Sequence, residues 1–355
     1  MQKLLPDAPL DIIGDVHGES VALKHLLFNL GYDEYGCHPK GRKVIFVGDL
    51  FDRGPDSPAV LNIARRIVEE GNGEIILGNH ELNLLRGDRK DGNDWFWDES
   101  SAHDQKYEPF NRLHNQHRDE LLRFLKQLPL VLERDDLRIA HAAWHEPSVQ
   151  KLVATEDCLV TDLFDQWDRE IDTELEARGL LSESGEEAET WKYALTDPQQ
   201  NVPLLKATGL CDERRQMDNP VRVLTSGMER LAAEPFYTSG KWRFSNRVKW
   251  WDEYTDSTPV IVGHYWRQFN LIDRKALGKG DQNLFEAISP THWHGAQGNV
   301  FCVDFSVGGR FQERKPGKVP GSTTKLAALQ WPERTLVLDT GEKIATKGFG
   351  EASRE

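Results

Sequence analysis

Six short apolar runs, each ending in a glycine, a charged residue or a histidine, limit this chain more than any other feature. Ile12 and Ile13 lead into Gly14-Asp15-Val16-His17-Gly18, residues 44–47 into Gly48-Asp49, and residues 75–77 into Gly78-Asn79-His80-Glu81. Later, Ile139 and Ala140 lead to His141, residues 260–262 to Gly263-His264, and residues 300–303 to Asp304. Such runs, bounded by turn signals, read as buried strands. Between the first of them, residues 21–30 carry Leu23, Leu26, Leu27 and Leu30 on one helical face and stop at Gly31. Ser57-Pro58 opens a second helix with Val60, Ile63, Ala64 and Ile67 facing inward. Alternating strand and helix predicts an α/β fold, in which ligands bind at the carboxyl ends of the strands. The polar strand ends should therefore meet in one crevice.

The 355 residues and 38% hydrophobic content suffice for a sizeable core. No run approaches a membrane span and the start lacks the pattern of a secretory signal, so a cytoplasmic location and no membrane partner are expected. Cys37, Cys158, Cys211 and Cys302 are widely spaced and read as buried or free thiols. The net charge of -14 argues against nucleic acid as a partner. Between residues 156 and 189, thirteen acidic side chains against two basic ones fit a solvated helical surface.

Residues 1–340 are expected to form a single domain with insertions near 86–128, including a helix over 120–128, and near 154–243. Residues 326–330 and 335–338, separated by Pro332-Glu333-Arg334, look like a hairpin closing a sheet edge, and 341–355 like a loose tail.

Asp15, His17, Asp49, Asn79, His141 and His264 supply oxygen and nitrogen donors suited to Mn²⁺, Fe²⁺ or Zn²⁺. Two ions suit so many ligands better than one. At about 3.5–4 Å apart they share a bridging carboxylate and activate a water for in-line attack. Asp49 is the natural bridge.

In order, the motifs GDVHG, GDLFDRG, GNHE, HAA and GHY resemble the calcineurin-like metallophosphoesterases, in particular their phosphoprotein phosphatase branch. The resemblance implies a sandwich of mixed sheets with flanking helices and a dinuclear centre at the strand ends. It also implies a division of labour: Asp15 and His17 on the first ion; Asn79, His141 and His264 on the second; Asp49 on both. His80 would be the general acid, paired with Asp52, while Arg53 would clamp the phosphate. For a second phosphate arginine the resemblance points between the last two histidine motifs, to Arg243 first and Arg247 next, with Arg230 and Arg267 as more distant candidates. Manganese is the first expectation for the metal.

The overall likeness is to bacterial enzymes related to symmetrical dinucleoside tetraphosphate hydrolases, but those typically lack the aspartate that here is Asp52. Its presence favours a phosphomonoesterase acting on phosphorylated serine, threonine or tyrosine. The alternatives are a dinucleoside polyphosphate hydrolase, a polynucleotide-end phosphatase, or a regulator that binds phosphoprotein without hydrolysing it. Most of the eleven tryptophans read as core, with Trp144 and Trp266 expected near the site because each closely follows a ligand histidine. His292-Trp293-His294 reads as a surface loop and Asp304 as a hydrogen-bond partner for a ligand histidine.

Overall fold

The apolar runs fold into strands whose alternate residues face two different partners. The computed structural model describes residues 1–155, 158–270 and 280–351. One sheet joins β1 (Gln2–Leu4), β5 (Val131–Arg134), β6 (Leu137–Ala140), β9 (Val260–Val262) and β10 (Val300–Cys302) in that order. The other has the order β13-β12-β11-β2-β3-β4, built from β2 (Leu10–Ile13), β3 (Lys43–Phe46), β4 (Gly73–Ile75), β11 (Ala327–Trp331), β12 (Thr335–Leu338) and β13 (Lys343–Ala345). Both sheets mix parallel and antiparallel pairs: β2, β3 and β4 run parallel, whereas β11 is antiparallel to β2 and to β12.

Leu10, Ile12, Ile45 and Leu329 of one sheet share an apolar cluster with Leu132, Ile139, Ile261 and Phe301 of the other. Their neighbours Ile13, Val44 and Phe46 join a second cluster with Leu23, Leu26, Val60 and Ala64 of the flanking helices α1 (Ser20–Leu30) and α2 (Ser57–Glu69). A period of two thus sends one set of side chains between the sheets and the other under the helices, as a two-sided buried strand requires. Burial of each such side chain contributes roughly 1.5–3 kcal/mol. The Asp11 carboxylate within β2 is buried and satisfied by Tyr32, Arg42 and Gln330. The expected α/β architecture of mixed sheets and flanking helices is therefore the one found.

Helix ends follow local chemistry. Gly31, at φ 100°, caps α1 in the left-handed conformation, and the Asp56 side chain accepts the Ala59 N–H at the start of α2. A short α3 (Asn79–Leu85) follows β4. In the first insertion, α4 (Arg118–Leu125) begins two residues before the expected start and ends three before the expected end, burying Leu121 and Leu125. After α5 (Glu146–Val153), the second insertion holds α6 (Val160–Ala177), α7 (Leu180–Trp191), α8 (Lys206–Met217), α9 (Pro220–Ser226) and the hairpin β7 (Glu229–Thr238)–β8 (Lys241–Arg247). Among the described residues no helix is long and apolar enough to cross a membrane.

Three expectations change. The 326–338 hairpin forms, but β11 lies inside its sheet beside β2, and β13, drawn from the segment expected to be a loose tail, takes the edge. Partly buried Ile344 and Phe349 hold that tail, with the Phe349 ring 4.7 Å from that of Trp293; residues 352–355 lie outside the described residues. His292-Trp293-His294 is not a surface loop either: Trp293 and His294 are buried, and His294 bridges to Val300.

Candidate metal centre

The loops after the strands carry the predicted ligands into one buried cluster. Asp15 and His17 follow β2, Asp49 follows β3, Asn79 opens α3 after β4, His141 follows β6 and His264 follows β9. Asp49 is the hub: its Oδ2 lies 3.4 Å from His141 Nε2, 3.8 Å from His80 Nε2 and 4.0 Å from His17 Nε2. Asp15 Oδ2 is 3.8 Å from His17 Nε2, while Asn79 Oδ1 is 3.3 Å from His141 Nε2 and 2.9 Å from His264 Nδ1. Two sets of potential ligand atoms, those of His17, Asp49 and His80 and those of Asp49, His141 and His264, each fall within 4.8 Å of one another.

The chain strains its backbone to achieve this. His17, Asp49, Asp52, Arg53 and His264 all have positive φ, between 46° and 75°. Side chains other than glycine rarely adopt that conformation, and the cost is about 1–3 kcal/mol each, so its concentration here marks a built site. Close approach does the rest: a Cβ on Gly263 would sit 2.1 Å from Asp15 Oδ1, and one on Gly48 would sit 2.6 Å from the Gly78 nitrogen.

Whether cations fit is a question of lone pairs. His17 Nδ1 lies 3.1 Å from the Phe51 carbonyl oxygen and His141 Nδ1 2.7 Å from that of Val47. A carbonyl only accepts, so each Nδ1 carries a proton, and each Nε2, on the Asp49 side, is the nitrogen that would offer a lone pair to a cation. Imidazole nitrogens, carboxylate oxygens and an amide oxygen then converge, a donor set that suits a divalent cation. The residues fit two such ions sharing Asp49.

Titration follows the same crowding. Burial opposes ionisation of Asp49, but His141, His80 and His17 outweigh it and hold the carboxyl well below its ordinary range. Burial and then Asp304 raise Asp15 well above that range. His141 is pushed up to about 10, the Asp49 charge overcoming burial. His17 is driven well down by burial, then by Arg53 and His80; His264 likewise by burial, then by Arg247 and His141.

Around the cluster stand the expected phosphate and proton groups. His80 Nδ1 is 2.5 Å from Asp52 Oδ2, both side chains buried. Arg53 Nη1 lies 3.2 Å from His17 Nε2, and its guanidinium stacks 4.9 Å from the centre of the half-buried Trp266 ring. Trp266 thus borders the site as expected, while Trp144 is buried under Arg138 and donates to Glu146. Arg243 is half-buried, and the charges that act on it most are Glu229, Asp212 and Arg247. Arg247 is the arginine whose charge reaches His264 and Tyr265. Buried Arg267 donates to the carbonyls of Cys302, Ser289 and His292, a bracing role. Asp304 accepts backbone N–H groups of Trp266 at 2.6 Å and Ser306 at 2.8 Å in place of the histidine contact expected for it.

Two side chains escaped the sequence reading. Glu81, fully buried, accepts the N–H groups of Gly78 and Asp49 on Oε2 and of Leu50 on Oε1 at 2.8–2.9 Å, locking the loop after β3 to the start of α3. Burial and then the Asp49 charge push its carboxyl up to about 7. Its place in GNHE was the only available signal. Trp95, in the first insertion, donates its indole N–H to Asp52 Oδ1 at 2.6 Å, and nothing in its local sequence announces it.

Known proteins resemble parts or nearly all of the chain. An asymmetrical bis(5'-nucleosyl)-tetraphosphatase of Oceanobacillus iheyensis is 46% identical over 80 residues, 22% of this chain and 32% of the relative. A symmetrical bis(5'-nucleosyl)-tetraphosphatase of Pectobacterium carotovorum is 32% identical over 149 residues, 39% of this chain and 46% of the relative. The alignments thus span a third to a half of the relatives' own lengths. The crystal structure of a cold-active protein-tyrosine phosphatase of Shewanella aligns over 97% of this chain and 83% of its own, with 15% identity and a TM-score of 0.44. The calcineurin-like phosphoesterase family matches residues 8–185, half of the 355-residue sequence. With its strand-end ligands gathered round Asp49 and that match across half its length, the chain belongs to the calcineurin-like phosphoesterase family.

Proposed function

We propose that this metallophosphoesterase is a phosphomonoesterase that acts on phosphorylated protein side chains. The observation that carries the reading is the 2.5 Å contact between His80 Nδ1 and Asp52 Oδ2. Alkoxide leaving groups such as those of serine and threonine leave poorly and gain most from a positioned acid, whereas a phosphoanhydride leaves well without one. Asp52 orients the imidazole so that Nε2, on the Asp49 side of the ring, delivers its proton to the departing oxygen.

Asp15, His17 and Asp49 would hold one divalent cation, and Asp49, Asn79, His141 and His264 the other; Mn²⁺ is the first candidate for a donor set of imidazole and carboxylate. When bound, the pair supplies Lewis-acid activation of water and neutralises phosphate charge. Arg53 provides a fork for two phosphate oxygens, its plane fixed by Trp266. As the second phosphate arginine we propose Arg247 ahead of Arg243, since its charge helps lower the His264 pKa. Buried walls around Asp49 and His80 keep bulk water from competing for these contacts.

A second reading, hydrolysis of dinucleoside polyphosphates, is favoured by the names of the curated relatives. Comparing kcat/KM for a phosphopeptide set and for diadenosine tetraphosphate, in wild type and Asp52→Ala, separates the two. The monoesterase reading expects a wild-type preference for phosphopeptides that collapses in the variant. A preference for the tetraphosphate that survives Asp52→Ala overturns it.

A further inference from the structure

We infer that Trp95 is a positioning residue for the proton donor, acting on His80 through Asp52. The inference rests on the reading of His80 as the acid. A carboxylate on a short side chain can turn about its last bond, and one hydrogen bond leaves that rotation free. Here the two oxygens are held separately: Oδ2 by His80 Nδ1 at 2.5 Å and Oδ1 by the Trp95 indole N–H at 2.6 Å. The plane of the carboxylate is thereby fixed, and with it the direction in which His80 Nε2 points toward the Asp49 side of the cleft.

The donor itself is rigid. Trp95 is 2% exposed, its ring lies 5.4 Å from that of Phe51 and 5.9 Å from that of Phe96, and its carbonyl accepts the Leu113 N–H. The preceding turn is tied down as well, with the Gly92 and Asp94 N–H groups both donating to the buried carboxylate of Asp104. Asp52 needs such a brace, because its backbone sits at φ 75° and is held on its own side by an N–H bond to Ser57 Oγ. The first insertion therefore threads one indole into the core to orient a group attached to the other side of the site. A catalytic group loosened by a fraction of an ångström loses rate without losing substrate affinity.

Trp95→Phe keeps an aromatic ring, smaller than the indole, and removes the donor. On a phosphoserine peptide, kcat should fall about tenfold with KM unchanged, while turnover of p-nitrophenyl phosphate, whose leaving group scarcely needs a proton, should change less than about twofold. Added to Asp52→Ala, Trp95→Phe should cost nothing further, since both act through one carboxylate. Equal losses on the two esters, or full additivity with Asp52→Ala, overturn the inference. A spectroscopic readout stands apart from turnover: the indole N–H resonance missing from Trp95→Phe should shift in Asp52→Ala, and an unmoved resonance also overturns it. His80→Ala separates the two layers of the argument. If that variant loses equally on both esters, the acid reading itself falls; if it is selective and Trp95→Phe is not, only the role of Trp95 falls.

Discussion

The strand ends and the second insertion are both rich in charge, and they handle it in opposite ways. At the strand ends Asp15, His17, Asp49, Asp52, His80 and His141 are all at most 5% exposed, and their charges face one another across a few ångströms. In α6 the apolar stripe of Leu163, Phe164, Trp167, Ile171 and Leu175 is buried, while Asp168, Asp172 and Glu174 pair outward with Arg222, Arg215 and Arg214. Helix α7 buries no residue fully, and Leu180, Leu181 and Trp191 pack partly against the neighbouring clusters. The inner part of the insertion, with Leu163, Phe164, Trp167, Val221 and Leu224, joins the continuous core beneath the strands, whereas two small apolar clusters, one around Ile171 and Cys211 and one around Val202 and Phe244, hold its outer part. Buried charge without water must be matched by partners or cations, so geometry there is exacting; solvated charge is screened and tolerates change.

The largest test of that contrast is Asp49→Asn. Removing the shared carboxylate should lower metal content and cut hydrolysis by roughly 10³-fold or more, several kcal/mol of transition-state stabilisation. Metal analysis and turnover after reconstitution check this, and full activity in the presence of a strong chelator would end the dinuclear reading. Next in size is core truncation. Phe46→Ala, at a fully buried position of β3, should lower unfolding stability by about 3–5 kcal/mol. Phe244→Ala, in the satellite cluster, should cost less than about half of that, because this outer part of the insertion can open locally without the core. Urea unfolding with hydrogen exchange distinguishes them, and equal global losses would show that the outer part folds together with the core.

Arg247→Ala tests where the insertion reaches the site, with an expected loss of about 10–10² in kcat/KM against little change for Arg243→Ala. The reverse ranking would return the phosphate contact to Arg243. The smallest effect belongs to Arg178→Ala, which removes an exposed i,i+4 pair with Glu174 in α6 and should change stability by at most about 0.5 kcal/mol. A larger loss would mean that the acidic surface is under more strain than its exposure implies.

The sequence alone was enough for the strands, the helices beside them and the candidate ligands that gather at the strand ends, because each of these is written locally. A strand end in Gly-Asp or Gly-His, a Gly31 cap and the acidic, amphipathic run through α6 are all visible within a few residues. Tertiary structure decided what depends on contacts far apart in the chain. Glu81 matters because it reaches N–H groups 31 and 32 residues away, and Trp95 because it meets Asp52 43 residues away. The tail became β13 through pairing with β12, and His294 went inside by bridging Val300. Local sequence fixes which groups are available, since dihedral preference and burial pattern act over a few residues; only packing sets the distances between them, and hydrogen bonding and metal coordination are decided by distance.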